Sequence, residues 1–298
     1  MPLTVRAPAK INLYLRVFPV GHDGFHPLRS WFRTIDLSDE LTVRKLRERP
    51  EPTASGFAEN VELHSSHGGL PAGSANLIIK AWQTMSVVVG DEPEWVGVDL
   101  DKRIPIGAGL GGGSSNAAAA LIAYQWARKQ ANISVASDQE LQSAAESVGA
   151  DVPFFLRHQL DGITDATCTG RGDIVQPFTP GRRHAVLLIL PDLQVSTPAV
   201  YARFDELPAP PDDDAPDFAG WSHLPTLELL PKLRNDLEAP AFSLHTQLSR
   251  LREHMEAQLG RPVRMSGSGS ALFTLYDDRA DAAAQVTNGG LPFRLTLA

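Results

Sequence analysis

The sequence is poor in the features that would place it outside the ordinary globular enzymes. It has one cysteine, Cys168, so no disulfide can form within the chain. That fits a reducing compartment, and Cys168 itself reads as a small buried apolar residue. A surplus of positive charge is also missing. Lys plus Arg number 27 against 35 Asp plus Glu, a formal charge of −8, which argues against a chain-wide basic surface for nucleic acid. No apolar run is long enough for a membrane. The uncharged stretch from Ser114 to Ala127 is too short to cross a bilayer and contains Ser, Asn and Gln. The first ten residues lack the apolar core of a signal peptide, so the expected location is the cytoplasm. Oligomeric state is not readable.

What is present suits a folded protein. At 298 residues, with 43% hydrophobic and 21% charged residues, the chain is expected to bury a large core and to divide into two domains. Disorder would need lower hydrophobicity and higher net charge.

Along the chain, strands and helices are mixed. Ile11, Leu13, Leu15 and Val17 alternate with Lys10, Asn12, Tyr14 and Arg16, the pattern of a half-buried strand. A turn rich in glycine follows at Gly21 to Pro27. Leu41 and Val43 suggest another strand, residues 44–60 an exposed connection, and Val61 with Leu63 a short strand. Asn76 can cap a helix that Gly90 stops. Val96, Val98 and Leu100 read as a strand. A helix is expected from Ser114 to Asn116 onward, with Arg128 and Lys129 at its end. Ser137 and Glu140 form a capping box for the next helix, closed by Gly149. Val152 to Leu156 is expected as an apolar strand, and Ala185 to Leu190 as a buried one. The run Asp212 to Asp214 reads as a solvated loop, and one helix is expected from about Glu238 to Leu259. Strand Ala271 to Tyr276 follows a second glycine-rich turn, Ser266 to Ser270. The class is α+β or α/β.

Five glycines stand within seven residues at Gly107, Gly109, Gly111, Gly112 and Gly113. The letters G-x-G-x-x-G occur, but residues 102–106, Pro105 among them, separate them from the preceding strand. No acid stands about 20 positions on, so the dinucleotide reading fails. A Walker-type loop fails too, because Gly113 occupies its lysine position. The physics common to both survives. Glycines let backbone N–H groups close on an anion, and a helix that begins here adds free donors and partial positive charge. The loop is a phosphate cradle. Phosphoryl transfer also needs a residue to position or deprotonate the nucleophile and a cation against developing charge. Asp151 and Lys10 offer these types, although each alone would pass as a turn aspartate and a solvated lysine.

Three stretches occur in order: Pro8 to Leu13, Pro105 to Ser115, and Met265 to Ala271. Together they resemble the three motifs of the GHMP kinases. His22 to His26, Gly149 to Phe155 and Asn235 to Glu238 narrow the likeness to members that act on a diphosphocytidyl methylerythritol. The resemblance implies a two-domain α+β fold. Residues 1–162 would form an ATP-binding domain like ribosomal protein S5 domain 2. Residues 163–298 would form a ferredoxin-like domain that helps bind substrate. It implies ATP as co-substrate, Mg²⁺ with it, and transfer of phosphate to a 2-hydroxyl in the non-mevalonate isoprenoid route. The partner is a small cytidyl diphosphate, with no nucleic acid and no membrane.

By the same resemblance Lys10 and Asp151 are catalytic. Asn76, Lys102, Pro105, Gly107, Gly109, Leu110, Gly111, Gly112, Gly113, Ser114 and Ser115 would bind ATP. Asn12, Phe25, His26, Thr197, Tyr201, Gly267, Ser268 and Gly269 would bind substrate. His26 would hydrogen-bond the cytosine, with Phe25 and Tyr201 on its two faces; Phe25 stands where many relatives have tyrosine. Metal ligands are not identified, with Ser114 or Ser115 the available oxygens.

Overall fold

Alternation over the first seventeen residues produces strand β1, Leu3–Val17, and the second apolar stretch produces one long strand, β2, Leu28–Lys45. The computed structural model describes residues 1–45, 61–90, 95–208, 215–286 and 293–297. Most of the expected connection at 44–60 and the acidic run 212–214 lie outside these residues.

The chain forms two compact units. One comprises Met1–Ala9, Leu37–Ile104 and Gly111–Ile163; the other comprises Lys10–Asp36, Pro105–Leu110 and Thr164–Ala298. The first therefore ends one residue past the expected limit at 162, while segments 10–36 and 105–110 group with the second. Strands β1 and β2 contribute to both.

In the first unit, β3 (Val61–Ser65) runs parallel to β4 (Val96–Asp101), and β4 runs antiparallel to the Glu40–Lys45 part of β2. Three helices follow the sequence signals. Helix α1, Leu77–Val89, is capped by Asn76, whose side chain accepts from the Ile78 N–H, and ends at left-handed Gly90. Helix α2, Gly112–Gln130, starts two residues before the expected Ser114. Its run Ala117 to Ala120 is buried, because small side chains let neighbouring helices approach closely. Trp82 of α1 meets Tyr124 of α2 edge-on at 5.0 Å. Helix α3, Asp138–Val148, carries the complete Ser137–Glu140 capping box.

Residues Val152 to Leu156 are helical, not the expected strand: they open α4, Val152–Asp161. A run of five buried apolar residues has no period that separates strand from helix. Pro153 in the first turn and left-handed Gly162 at the end decide for helix.

In the second unit, β5 (Asp165–Thr169) pairs with Ser30–Arg33 of β2 and forms a hairpin with β6, Ile174–Phe178. A four-stranded antiparallel sheet has the order β10-β7-β9-β8, from Ala185–Pro191 (β7), Arg264–Met265 (β8), Leu272–Tyr276 (β9) and Phe293–Leu297 (β10). Its helices are α5 (Thr197–Glu206), two short turns α6 (Phe218–Trp221) and α7 (Thr226–Leu229), α8 (Glu238–Leu244), α9 (Thr246–Leu259) and α10 (Arg279–Ala283). The single helix expected over 238–259 is thus two, broken where His245 leaves helical geometry at φ −130°, ψ 77°. Leu187, Ile189, Val200, Leu248, Met255 and Leu272 lie at the heart of this unit's core, and Cys168 is buried and takes no part in a disulfide.

Strand β1 is not half-buried as its alternation suggested. Lys10, Asn12, Tyr14 and Arg16 are as enclosed as the apolar face. Tyr14 is covered by Phe218 at 5.2 Å, and Arg16 lies 3.6 Å from the Asp236 carboxylate. Alternation reports the chemistry of each face, but the fold decides what covers it.

A buried polar network joins β2 to β5. Asp165 accepts from Trp31 Nε1 and Arg33 Nε, both at 2.7 Å. The Arg33 guanidinium donates to His184 Nδ1 at 3.0 Å, so the ring proton sits on Nε2, which donates to the Leu224 carbonyl at 3.1 Å. Burial, then the adjacent Arg33, lower the His184 pKa below 6.5. The unfolded chain therefore takes up this proton first as pH falls, and stability rises with pH through that window. Urea unfolding at a series of pH values is expected to show this contribution lost below about pH 6.5. An NMR titration that finds His184 charged above that pH would contradict it.

Candidate active site

Three segments distant in sequence meet in the second unit. The Lys10 N–H donates to the Leu110 carbonyl at 2.9 Å, which fixes β1 beside the glycine loop. The Asn12 N–H donates to Ser266 Oγ at 3.3 Å, and that hydroxyl donates to the Gly109 carbonyl at 2.9 Å. The Ala271 N–H closes the set on the Ala108 carbonyl at 3.0 Å. First strand, glycine loop and second glycine turn are therefore bonded together.

Gly109 makes this approach possible. Its φ is +75°, and a Cβ built there would lie 2.1 Å from the Ser266 carbonyl oxygen. No side chain fits.

Lys10 is 4% exposed. Its ammonium donates to Asn12 Oδ1 at 2.6 Å and stands 4.3 Å from the centre of the Phe32 ring. Asn12 Nδ2 donates in turn to Ser30 Oγ at 2.9 Å. The cation is thus oriented by a buried amide rather than left on a mobile stem. The second turn is held from α5 as well, where the Thr197 and Ser268 hydroxyls are 2.7 Å apart.

The residues expected at the base form another cluster in this unit. His26 Nδ1 is 2.8 Å from the Phe18 carbonyl, and Nε2 is 3.3 Å from Asp205 Oδ1. Tyr201 packs on the His26 ring with centroids 5.4 Å apart at 35°. Phe25 is 53% exposed, with the Arg171 guanidinium 5.0 Å from its ring centre.

The first unit holds the remaining residues. Gly111 is the left-handed N-cap of α2, and no described side chain caps the helix. The N–H groups of Gly112, Gly113 and Ser114 consequently lack intrahelical acceptors, and the helix dipole adds to their pull on an anion. Ser115 Oγ is buried without a hydrogen-bond partner among the described residues. Asp151 is the N-cap of α4, but its side chain makes no capping bond there. Asn76 uses its carbonyl oxygen to cap α1 and its amide to donate to Pro71 O at 3.2 Å.

Lys102 lies under the start of α2: a Cβ on Gly112 would be 3.0 Å from its ammonium. It is paired with Asp39 at 2.6 Å and donates to the Ile104 carbonyl at 2.7 Å. Burial lowers its pKa, while the Asp39 hydrogen bond and charge oppose the shift.

Asp39 has no counterpart among the residues singled out in the sequence. It is fully buried and also accepts from the Arg103 and Ile104 N–H groups at 2.7 and 2.8 Å. One carboxylate thus shapes the segment that feeds the glycine loop. In sequence it is one acid in an ordinary strand, and nothing local marks it as buried. Among the described residues, no group of three or more His, Cys, Asp or Glu is arranged to hold a metal ion.

Comparison with known proteins gives the family. The profile of the GHMP kinases N terminal domain matches residues 76–159, and that of the GHMP kinases C terminal region matches 224–288. The 4-diphosphocytidyl-2-C-methyl-D-erythritol kinase of Thermus thermophilus is 37% identical over 283 residues, 94% of this chain and 90% of that protein. The chain belongs to the 4-diphosphocytidyl-2-C-methyl-D-erythritol kinase family. The chloroplastic member from Mentha piperita is 37% identical over 287 residues, 91% of this chain; the chain spans 63% of that longer relative. A crystal structure of 4-(cytidine 5'-diphospho)-2C-methyl-D-erythritol kinase superposes with a TM-score of 0.71 at 34% identity, covering 99% of this chain and 98% of the other. The fold is therefore the two-domain α+β fold of the GHMP kinases. No helix among the described residues is long and apolar enough to cross a membrane.

The Asp39 pair gives a test independent of substrate. Asp39→Ala leaves the Lys102 cation buried without its carboxylate and is expected to cost about 3–5 kcal/mol of stability. Adding Lys102→Met should recover part of that loss. Urea denaturation of the single and double variants measures both, and an unchanged midpoint in Asp39→Ala would remove the assigned role.

Proposed function

We propose that this chain transfers the γ-phosphoryl group of ATP to the 2-hydroxyl of 4-diphosphocytidyl-2-C-methyl-D-erythritol, in the non-mevalonate isoprenoid route. The observation that carries the reading is the bonding of the Lys10 strand, the glycine loop and the turn at 266–271 into one assembly. Its family membership supports the choice of substrate.

In this reading Pro105, Gly107, Gly109, Leu110 and Gly111 to Ser115 receive the triphosphate. The uncapped N–H groups at the start of α2 bind its oxygens. Asn76 and Lys102 border the nucleotide. Lys102 acts mainly by supporting the loop, since its ammonium is already shared between Asp39 and Ile104. Mg²⁺ carried with ATP would neutralise phosphate charge in the transition state. The buried, unpartnered Ser115 hydroxyl fits an oxygen ligand for it.

Asp151 takes the proton of the attacking hydroxyl. In a loose transition state that proton moves late, so positioning matters more than basicity. Lys10, fixed by Asn12, stabilises the negative charge that develops on the acceptor oxygen. The turn Gly267, Ser268 and Gly269, with Thr197, holds the substrate's phosphate-bearing portion. His26 reads the cytosine edge while Phe25 and Tyr201 cover its faces. The first of the two expected domains, 1–162, supplies the ATP side and the second, 163–298, helps bind the acceptor. We assign the reaction to the cytoplasm; a single buried cysteine outside any disulfide fits a reducing compartment.

Asp151→Asn is expected to lower kcat by about 10²- to 10⁴-fold while the dissociation constant for ATP changes only a few-fold. ADP release coupled to NADH oxidation, with the cytidyl substrate, measures it. Undiminished turnover would remove Asp151 from the base role. Phosphorylation of homoserine or mevalonate in place of the cytidyl substrate would overturn the substrate assignment.

A further inference from the structure

The Asn235 to Glu238 motif is not accounted for by the residues placed on ATP or the acceptor. It forms the wall of a cavity of about 460 Å³ in the second unit, a volume suited to a small organic ligand. Three arginines, Arg234, Arg252 and Arg264, line it with two acidic residues, Asp236 and Glu238. Asp236 is already committed: it takes Arg234 Nε at 2.5 Å, Arg16 at 3.6 Å and the Val17 N–H at 3.0 Å. Glu238 spends one oxygen on the Met265 N–H at 2.8 Å, and its other lies 4.0 Å from Arg252, beyond hydrogen-bond range. The Nε atoms of Arg252 and Arg264 are buried and have no hydrogen-bond partner among the described residues. Buried guanidinium nitrogens without partners are unfavourable, and an anion drawn to these two arginines would offset that cost. In a chain of net charge −8 this is a local reversal of sign. Phe242 supplies an aromatic wall, with the Arg252 guanidinium 5.0 Å from its ring centre.

We propose that this cavity is a second anion-binding site, which takes a small phosphate ester with a planar or apolar body. Guanidiniums suit phosphate oxygens through paired, charge-assisted hydrogen bonds. The body of the ligand packs on Phe242.

The cavity wall is also the support of the second glycine turn. Asn235 Nδ2 donates to the Met265 and Gly267 carbonyls at 2.8 and 2.7 Å, while Glu238 holds the Met265 N–H from the same side. A phosphate that draws Arg252 and Arg264 toward itself changes the field on Glu238 and is felt at 265–267. That consequence rests on the kinase reading; binding itself does not.

Phenyl phosphate is the probe. Calorimetric titration is run on the full chain with the glycine loop saturated by a non-hydrolysable ATP analogue. Binding should persist under these conditions and weaken with added salt. It should weaken at least tenfold in Arg252→Gln and in Arg264→Gln, each measured singly so that the result does not hang on one variant folding. Arg252→Lys, which keeps the charge, should lose less. Absence of binding to the analogue-saturated protein, or unchanged affinity in both glutamine variants, overturns the proposal. Failure of the kinase reading would show instead as absent turnover, with these titrations unchanged.

Discussion

A backbone contact that only glycine permits underlies the assembly in the second unit. Gly109 lets the loop lie against Ser266, and the Ser266 hydroxyl bridges the Gly109 carbonyl to the Asn12 N–H. Lys10 and the turn at 266–271 are positioned from this contact. The loop fixes β1 through Leu110, β1 presents Lys10, and the turn brings Ser268 to Thr197. The bonds are mostly between backbone groups or short side chains. Little conformational freedom remains to be lost when a ligand arrives, which is the condition for effective electrostatic stabilisation.

Burial of polar groups recurs as the means of positioning. Lys10 is held by Asn12 and Phe32, Lys102 by Asp39 and Ile104, and Arg33 by Asp165 and His184. Each cation is enclosed with a defined partner, since an unpaired buried charge is strongly destabilising. The two lysines differ in consequence. Lys10 is oriented by the Asn12 amide beside the Phe32 ring. Lys102 faces a carboxylate, and its charge is largely spent on shaping the segment before the loop. The cavity behind Asn235 and Glu238 departs from this rule, because Arg252 Nε and Arg264 Nε are buried there with no hydrogen-bond partner among the described residues.

Much of the local structure is legible in the sequence because its causes are local. Asn76 and Gly90 bound α1, Ser137 with Glu140 starts α3, and the glycines at 107–113 mark the turn that opens α2, each through groups within a few residues. The resemblance to GHMP kinases rests on the same short stretches. Legibility fails where a residue's state depends on distant neighbours. The opening of the helix at 152–161 reads as a strand because a fully buried run carries no period. The break at His245 has no glycine or proline to announce it.

By itself, the sequence determined the α+β class, the caps, the glycine loop and the family. These follow from backbone preferences and from residue order. Tertiary structure alone decided that the polar face of β1 is enclosed and that Asp39 lies beneath the approach to the loop. It also decided that Asn235 and Glu238 grip the turn at 265–267. The physical reason is common to all three. Burial and pairing belong to what packs against a residue, and here the partner stands tens to hundreds of positions away.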